Sequence, residues 1–268
     1  MKHRILHEIQ SVQFANPINL FSYLADTSKG SVRQVNIKIE EYLKSGYINP
    51  IPFDGKPINE NYKSWGQFYY LTKTGSQVID RVNEYRQKVS KSSNSLEHES
   101  MKIDVALSFI RNYPEYEFSF NYKADFKGIR PDILVNAKNI YNNKHYTFFV
   151  EIERSKKEMT YIYKEKILNY NKFINNGLFE NKGFFKPKVL FVCAYNQYPF
   201  YLRPQQYNDK IYQSYFIDVY RLFDTFLKLL KNNNTSDKYY RFIPFPEFTK
   251  IAEPIWRMPS GTKVRIIE

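Results

Sequence analysis

Three carboxylates stand where two apolar stretches of this 268-residue chain turn polar. Asp132 follows Pro131 and opens the run Ile133-Leu134-Val135, while Glu151 and Glu153 flank Ile152 at the end of Tyr146–Val150. Side chains on a strand alternate faces, so Glu151 and Glu153 share one face and Ile152 takes the other. Acids at the end of an apolar strand are costly to bury unless a positive group meets them. A divalent metal, an Arg or Lys, and water at an open strand end are the three ways to meet that cost. Carboxylate oxygens suit a hard divalent ion such as Mg2+ or Mn2+, which keeps several of its waters. The purely structural alternative pairs the acids with Arg130 and Arg154, an exposed arrangement worth only about 0–1 kcal/mol.

The elements that must position these acids follow from periodicity. Apolar positions Leu96, Met101, Val105, Leu107, Phe109 and Ile110 predict a helix over 96–113, with Glu97, His98, Glu99 and Asp104 near its start. Residues 115–122 alternate aromatic and polar, as a half-buried strand should. After the Asp132 and Glu151 strands, a basic helix is expected over 156–175. It carries Tyr163, Ile167, Tyr170, Phe173 and Ile174 on one face and is stopped by Gly177. Residues 188–194 read as a buried strand holding Cys193, the only cysteine, as a core thiol. One cysteine excludes an intramolecular disulfide and a CxxC metal knuckle. An amphipathic helix near 217–231, a loop over 232–237 and a Pro- and aromatic-rich tail around Trp256, packed on the same domain, complete the chain.

The first third reads differently. Helices are expected over 3–13, from Pro17 to Leu24, and over 31–45, the last stopped by Gly46. Strands at 47–51 and 68–72 enclose a polar loop with two prolines, and a further helix begins after Gly75. Lys88–Ser95 is polar and Ser-rich, so the boundary is drawn between a domain at 1–91 and one at 96–268. The net charge of +13 and pI near 9.4 favour a polyanionic partner, nucleic acid before an anionic membrane. No uncharged run reaches the ~18 residues that span a bilayer, and the start lacks the apolar run of a signal peptide, so a cytoplasmic setting is expected. His3 and His7 have the i, i+4 spacing of two metal ligands, but no third ligand is nearby in sequence.

Three helices and a long-tipped hairpin, with Leu43-Lys-Ser-Gly-Tyr-Ile48 and Tyr69-Tyr-Leu-Thr-Lys-Thr-Gly75, resemble a winged helix-turn-helix. The resemblance implies that the helix over 31–45 enters the DNA major groove through Arg33, Gln34, Asn36 and Lys38, with Lys56 and Lys63 of the wing on phosphates. The order helix, strand, Asp-strand, Glu-strand, helix, strand resembles the PD-(D/E)xK nuclease-like α/β core. There Asp132 and Glu151 would bind a divalent metal, aided by a glutamate of the preceding helix, Glu97 or Glu99. Glu153 stands where that pattern usually has lysine, and Lys164 or Lys166 of the next helix could take over its role. Across nearly the whole chain, the phrases Glu97-His-Glu99, Arg130-Pro-Asp132, Phe149-Val-Glu-Ile-Glu-Arg154, Lys166-Ile-Leu-Asn-Tyr170 and Val189-Leu-Phe-Val192 resemble the replication-relaxation family of plasmids and other mobile elements. That resemblance implies an α+β protein acting on double-stranded DNA in replication or mobilisation, alongside relaxase or replication proteins. Winged-helix proteins often form homodimers as well. The alternatives are a Mg2+- or Mn2+-dependent DNA endonuclease of restriction type and a non-enzymatic protein-interaction scaffold.

Overall fold

The computed structural model describes residues 3–15, 20, 32–51, 68–80, 96–126, 128–153, 162–177, 179, 183–185, 187–194 and 209–267. The chain forms two compact units, Met1–Leu107 and Ser108–Glu268, a division that falls inside the helix Leu96–Asn112. The first is mostly helical, and the second is built on a large mixed sheet.

In the first unit, α1 (Arg4–Val12) buries Ile5, Leu6, Ile9 and Val12, the stripe its spacing dictates. Helix α2 (Val32–Lys44) buries Val35, Ile39 and Tyr42 and leaves Gln34, Ile37, Lys38 and Glu41 exposed. It ends at Gly46, whose φ of 68° favours glycine and whose N–H donates to the Leu43 carbonyl. Strand β1 (Ile48–Pro50) then pairs antiparallel with β2 (Tyr69–Leu71). Thr72 caps α3 (Lys73–Val78) by accepting the Gly75 N–H at 3.1 Å. Gly75 is required by close approach, since a Cβ there would lie 2.1 Å from the Tyr47 carbonyl oxygen. The helix expected over 17–24 has only Leu20 described, and the loop at 52–67 and residues 81–95 lie outside the described residues.

The second unit follows α4 (Leu96–Asn112) with β3 (Tyr116–Asn121), β4 (Ile133–Asn139) and β5 (His145–Glu153), each antiparallel to the last. A single wide π-turn, Tyr163–Ile167, runs into α5 (Leu168–Asn175) and leads to β6 (Lys188–Cys193), parallel to β5. Helix α6 (Asp209–Asn232) extends well beyond the expected 217–231. Strand β7 (Tyr240–Pro244) then adds parallel to β6. The tail contributes β8 (Trp256–Arg257) and β9 (Lys263–Val264), so the seven strands stand in chain order.

Strand β5 lies inside this sheet and is buried along nearly its whole length. Phe148 faces Phe109 of α4, with ring centroids 5.5 Å apart. On the other face Phe149 meets five rings, those of Phe126, Tyr170, Phe173, Phe179 and Phe184, at 5.0–6.1 Å. Glu151 and Glu153, two and four residues on, share the Phe149 face and look toward α5.

Candidate functional site

The site is set by register. Ile133 pairs with Val150, so Asp132, one step before β4, stands opposite Glu151 at the C-terminal end of β5. The Asp132 carboxylate accepts the N–H of Ile152 at 2.7 Å, which stitches the strand ends together where the ladder stops. On the other side, Glu151 pairs with Phe191 of β6 and Glu153 with Cys193, and the Ala194 N–H donates to the Glu153 carbonyl at 2.7 Å. Both glutamates are buried.

Among the described residues, the cation that meets them is Lys166. Its ammonium lies 2.7 Å from Glu151 and 3.7 Å from Glu153, from the π-turn that precedes α5. In that turn the N–H of Leu168 reaches back five residues to the Tyr163 carbonyl. The extra residue lets Ile162 and Ile167, five apart, both be buried while Lys166 points at the sheet end. Such one-turn widenings concentrate at functional sites. One turn further on, the Tyr170 hydroxyl donates to the second Glu151 oxygen at 2.7 Å. Glu151 is therefore held by ammonium and phenol at once. Beneath, the Tyr240 hydroxyl of β7 donates to Asn171 at 2.6 Å and steadies the same helix.

Electrostatics follow from this crowding. Burial acts against the Lys166 ammonium, but Glu151, Asp132 and Glu153 outweigh it and push its pKa above the usual 10.5. Burial, helped by the charge of Asp132, lifts Glu151 above 4.5, while Lys166 and Tyr170 pull the other way. Burial and Glu151 keep Tyr170 protonated and so a donor. Lys166, Glu151 and Tyr170 therefore each hold a proton more tightly than usual.

The alternative pairing of the acids with Arg130 is not formed. Arg130 donates instead to Asp125 at 2.7 Å, a neighbour reached within its own loop. Arg154, Lys56 and Lys63 lie outside the described residues, as do the side chains of Arg33, Glu97 and Glu99. Gln34 and Lys38 are exposed on α2 and Asn36 is half-buried. Lys38 forms an ion pair with Glu41 at 2.5 Å on the same face. Lys164 is exposed, and it is Lys166 that reaches the acids. The sequence places Tyr170 on the apolar face of its helix and in the phrase Lys166–Tyr170, with no chemical role of its own. Its i, i+4 spacing from Lys166 was the available signal for a shared role.

No protein-family model, characterised protein or solved structure matches this chain. The site is therefore judged on its own chemistry. Among the described residues, no group of three or more His, Cys, Asp or Glu side chains is gathered so as to hold a metal ion. The place among the acids is taken by Lys166. Asp132 and Glu151 still fit a Mg2+-like ion by donor type, since one or two carboxylates with water suffice for it and each oxygen carries two lone pairs. Among the described residues no helix is long and apolar enough to cross a membrane.

Proposed function

We propose that this is a DNA-acting protein whose second unit carries a divalent-metal phosphodiesterase site. One observation carries the reading: Asp132, Glu151 and Lys166 converge at the end of a buried strand, two acids from adjacent strands and an ammonium from the next helix. The element order α4-β3-β4-β5-α5-β6 around them supports it. Mg2+ or Mn2+, held by Asp132 and Glu151, would supply Lewis-acid polarisation of a phosphate and an activated water. The chain's own residues do the positioning. Tyr170 fixes the Glu151 carboxylate. Glu151 and Glu153 keep Lys166 protonated, which makes it a stabiliser of negative charge on phosphate and not a proton acceptor. Glu153 thus serves the lysine in the place where lysine itself was expected.

The first unit would bind duplex DNA through Arg33, Gln34, Asn36 and Lys38, with Lys38 exchanging Glu41 for the DNA. Of the +13 net charge, +3 belongs to residues 1–107 and +10 to residues 108–268. Sequence-independent attraction to phosphate is accordingly assigned to the second unit. Replication or mobilisation of a plasmid or mobile element, with relaxase or replication proteins as partners, is the setting proposed for this activity. The test is incubation of supercoiled plasmid with Mg2+ or Mn2+. Wild type is expected to nick it and Asp132→Asn to lose at least about a hundredfold in rate. Absence of nicking by wild type, or equal nicking by the variant, overturns the reading. DNA binding without cutting would then be favoured by the double engagement of Glu151.

A further inference from the structure

A second surface lies at the other end of the sheet. Strands β5, β6 and β7 run parallel, so their first residues gather at one end and the acid cluster at the opposite end. His145 to Glu153 covers roughly 26 Å of extended chain. At the first-residue end, the β4–β5 turn presents Tyr141, 81% exposed, and the approach to β6 presents Phe185, 57% exposed. Lys144 and Lys238 are exposed there, with Lys188 and Tyr239 half-buried beside them. Neighbouring strands are about 4.8 Å apart, so the entry points of β5, β6 and β7 lie side by side.

The backbone that carries the rings is held in place. The Asn139 side chain accepts the N–H groups of Tyr141 and Asn142 at 3.0 and 3.1 Å, which fixes the turn. Phe185 is clamped to Thr147: its carbonyl accepts the Thr147 N–H at 2.8 Å and its own N–H donates to the Thr147 hydroxyl at 3.3 Å. One side of its ring meets His145 at 4.9 Å. The Lys238 ammonium sits 4.8 Å over the Tyr239 ring, and the Lys188 ammonium donates to the Lys238 carbonyl. Among the described residues, the acids at or near this end include Glu115, Glu117 and Asp237. The Glu115 carbonyl accepts the Ile140 N–H beside the turn, Glu117 stands opposite Lys138, and the Asp237 carboxylate accepts the Ser260 N–H.

Rings open to water on a fixed backbone, interleaved with ammonium groups, form a surface for unstacked bases joined by phosphates. In a duplex the base faces are already stacked, so these rings have nothing to cover. We propose that this end of the second unit binds single-stranded nucleic acid, with bases on Tyr141 and Phe185 and phosphates on Lys144, Lys188 and Lys238. The proposal does not depend on the acid cluster. It predicts a strand preference located some way from the site of cutting.

The test is fluorescence anisotropy of the full chain with a labelled oligothymidine and with a labelled duplex, in EDTA so that nothing is cut. The Tyr141→Ala/Phe185→Ala double variant is expected to bind the single strand about tenfold or more weakly, with duplex affinity and thermal midpoint unchanged. Tyr141→Ala alone, at the most exposed position, should show part of the same loss. Lys144→Glu should weaken single-strand binding and flatten its salt dependence. Unchanged single-strand affinity in the double variant overturns the proposal. So does an equal loss for both DNA forms, or a change confined to self-association in sedimentation. Single-strand binding by a protein that fails to nick plasmid would leave it standing.

Discussion

Lys166→Met is expected to lower the stability of the folded protein by about 3 kcal/mol at neutral pH, measured by urea denaturation. Removing one partner of a buried ion pair typically costs about 3–5 kcal/mol, because the other charge is left uncompensated. Here two buried acids lose the same ammonium at once. The figure is set at the low end because the Lys166 side chain is 31% exposed and water can partly replace it. The pH dependence is signed. A lysine whose pKa is raised on folding contributes stability that is fully present below 10.5 and lost as pH rises through its folded value. The deficit of the variant should therefore persist at neutral pH and, on the alkaline side, narrow only in strong alkali. Glu151, also raised, contributes stability that is fully present below 4.5 and lost as pH rises through its folded value. Without Lys166 that loss should be larger, so the variant should recover on mild acidification. A variant as stable as wild type at neutral pH would show that Lys166 does not hold the acids.

Phe149→Ala is expected to cost about 4 kcal/mol, within the range for removing a fully buried aromatic side chain. Phe149 is fully buried and touches five rings, so its loss leaves a cavity whose walls come from several elements and cannot all collapse together. One of those rings is Tyr170, 6.1 Å away, which donates to Glu151. The same substitution should therefore loosen the acid cluster. Phe185→Ala is the control: it is exposed and should change stability by less than about 0.5 kcal/mol. Thermal and urea melts of the two variants give the comparison, and similar values for both would refute the packing described for β5.

Much of the site could be read from residues alone because it rests on local rules. Alternation placed Glu151 and Glu153 on one face, and the apolar runs around Asp132 and Glu151 became β4 and β5. The antiparallel pairing that sets Asp132 opposite Glu151 is a tertiary fact, as is the reach of Lys166. A π-turn has no periodic signature of its own, so the choice between Lys164 and Lys166 depended on helix phase that the sequence left open. Strand β7 was passed over because Tyr-Arg-Phe-Ile-Pro neither alternates nor reads as uniformly apolar. Its Arg241 is buried by donating to the Asp237 and Tyr240 carbonyls, partners that no sequence pattern reveals. The tail was expected to pack on the second domain, and it does so by extending the sheet with β8 and β9. Arg130 stood close in sequence to the acids yet bonds to Asp125, since a short loop reaches a near neighbour more readily than a strand end.

The central claim is that Asp132 and Glu151 hold a divalent ion beside Lys166. It is tested most directly by calorimetric titration of the purified protein with Mn2+. The account predicts a single bound ion per chain, with binding lost in Asp132→Asn and in Glu151→Gln while both variants stay folded. Wild type that takes up no Mn2+ at millimolar concentration, or a Glu151→Gln variant that binds it as wild type does, would contradict the account.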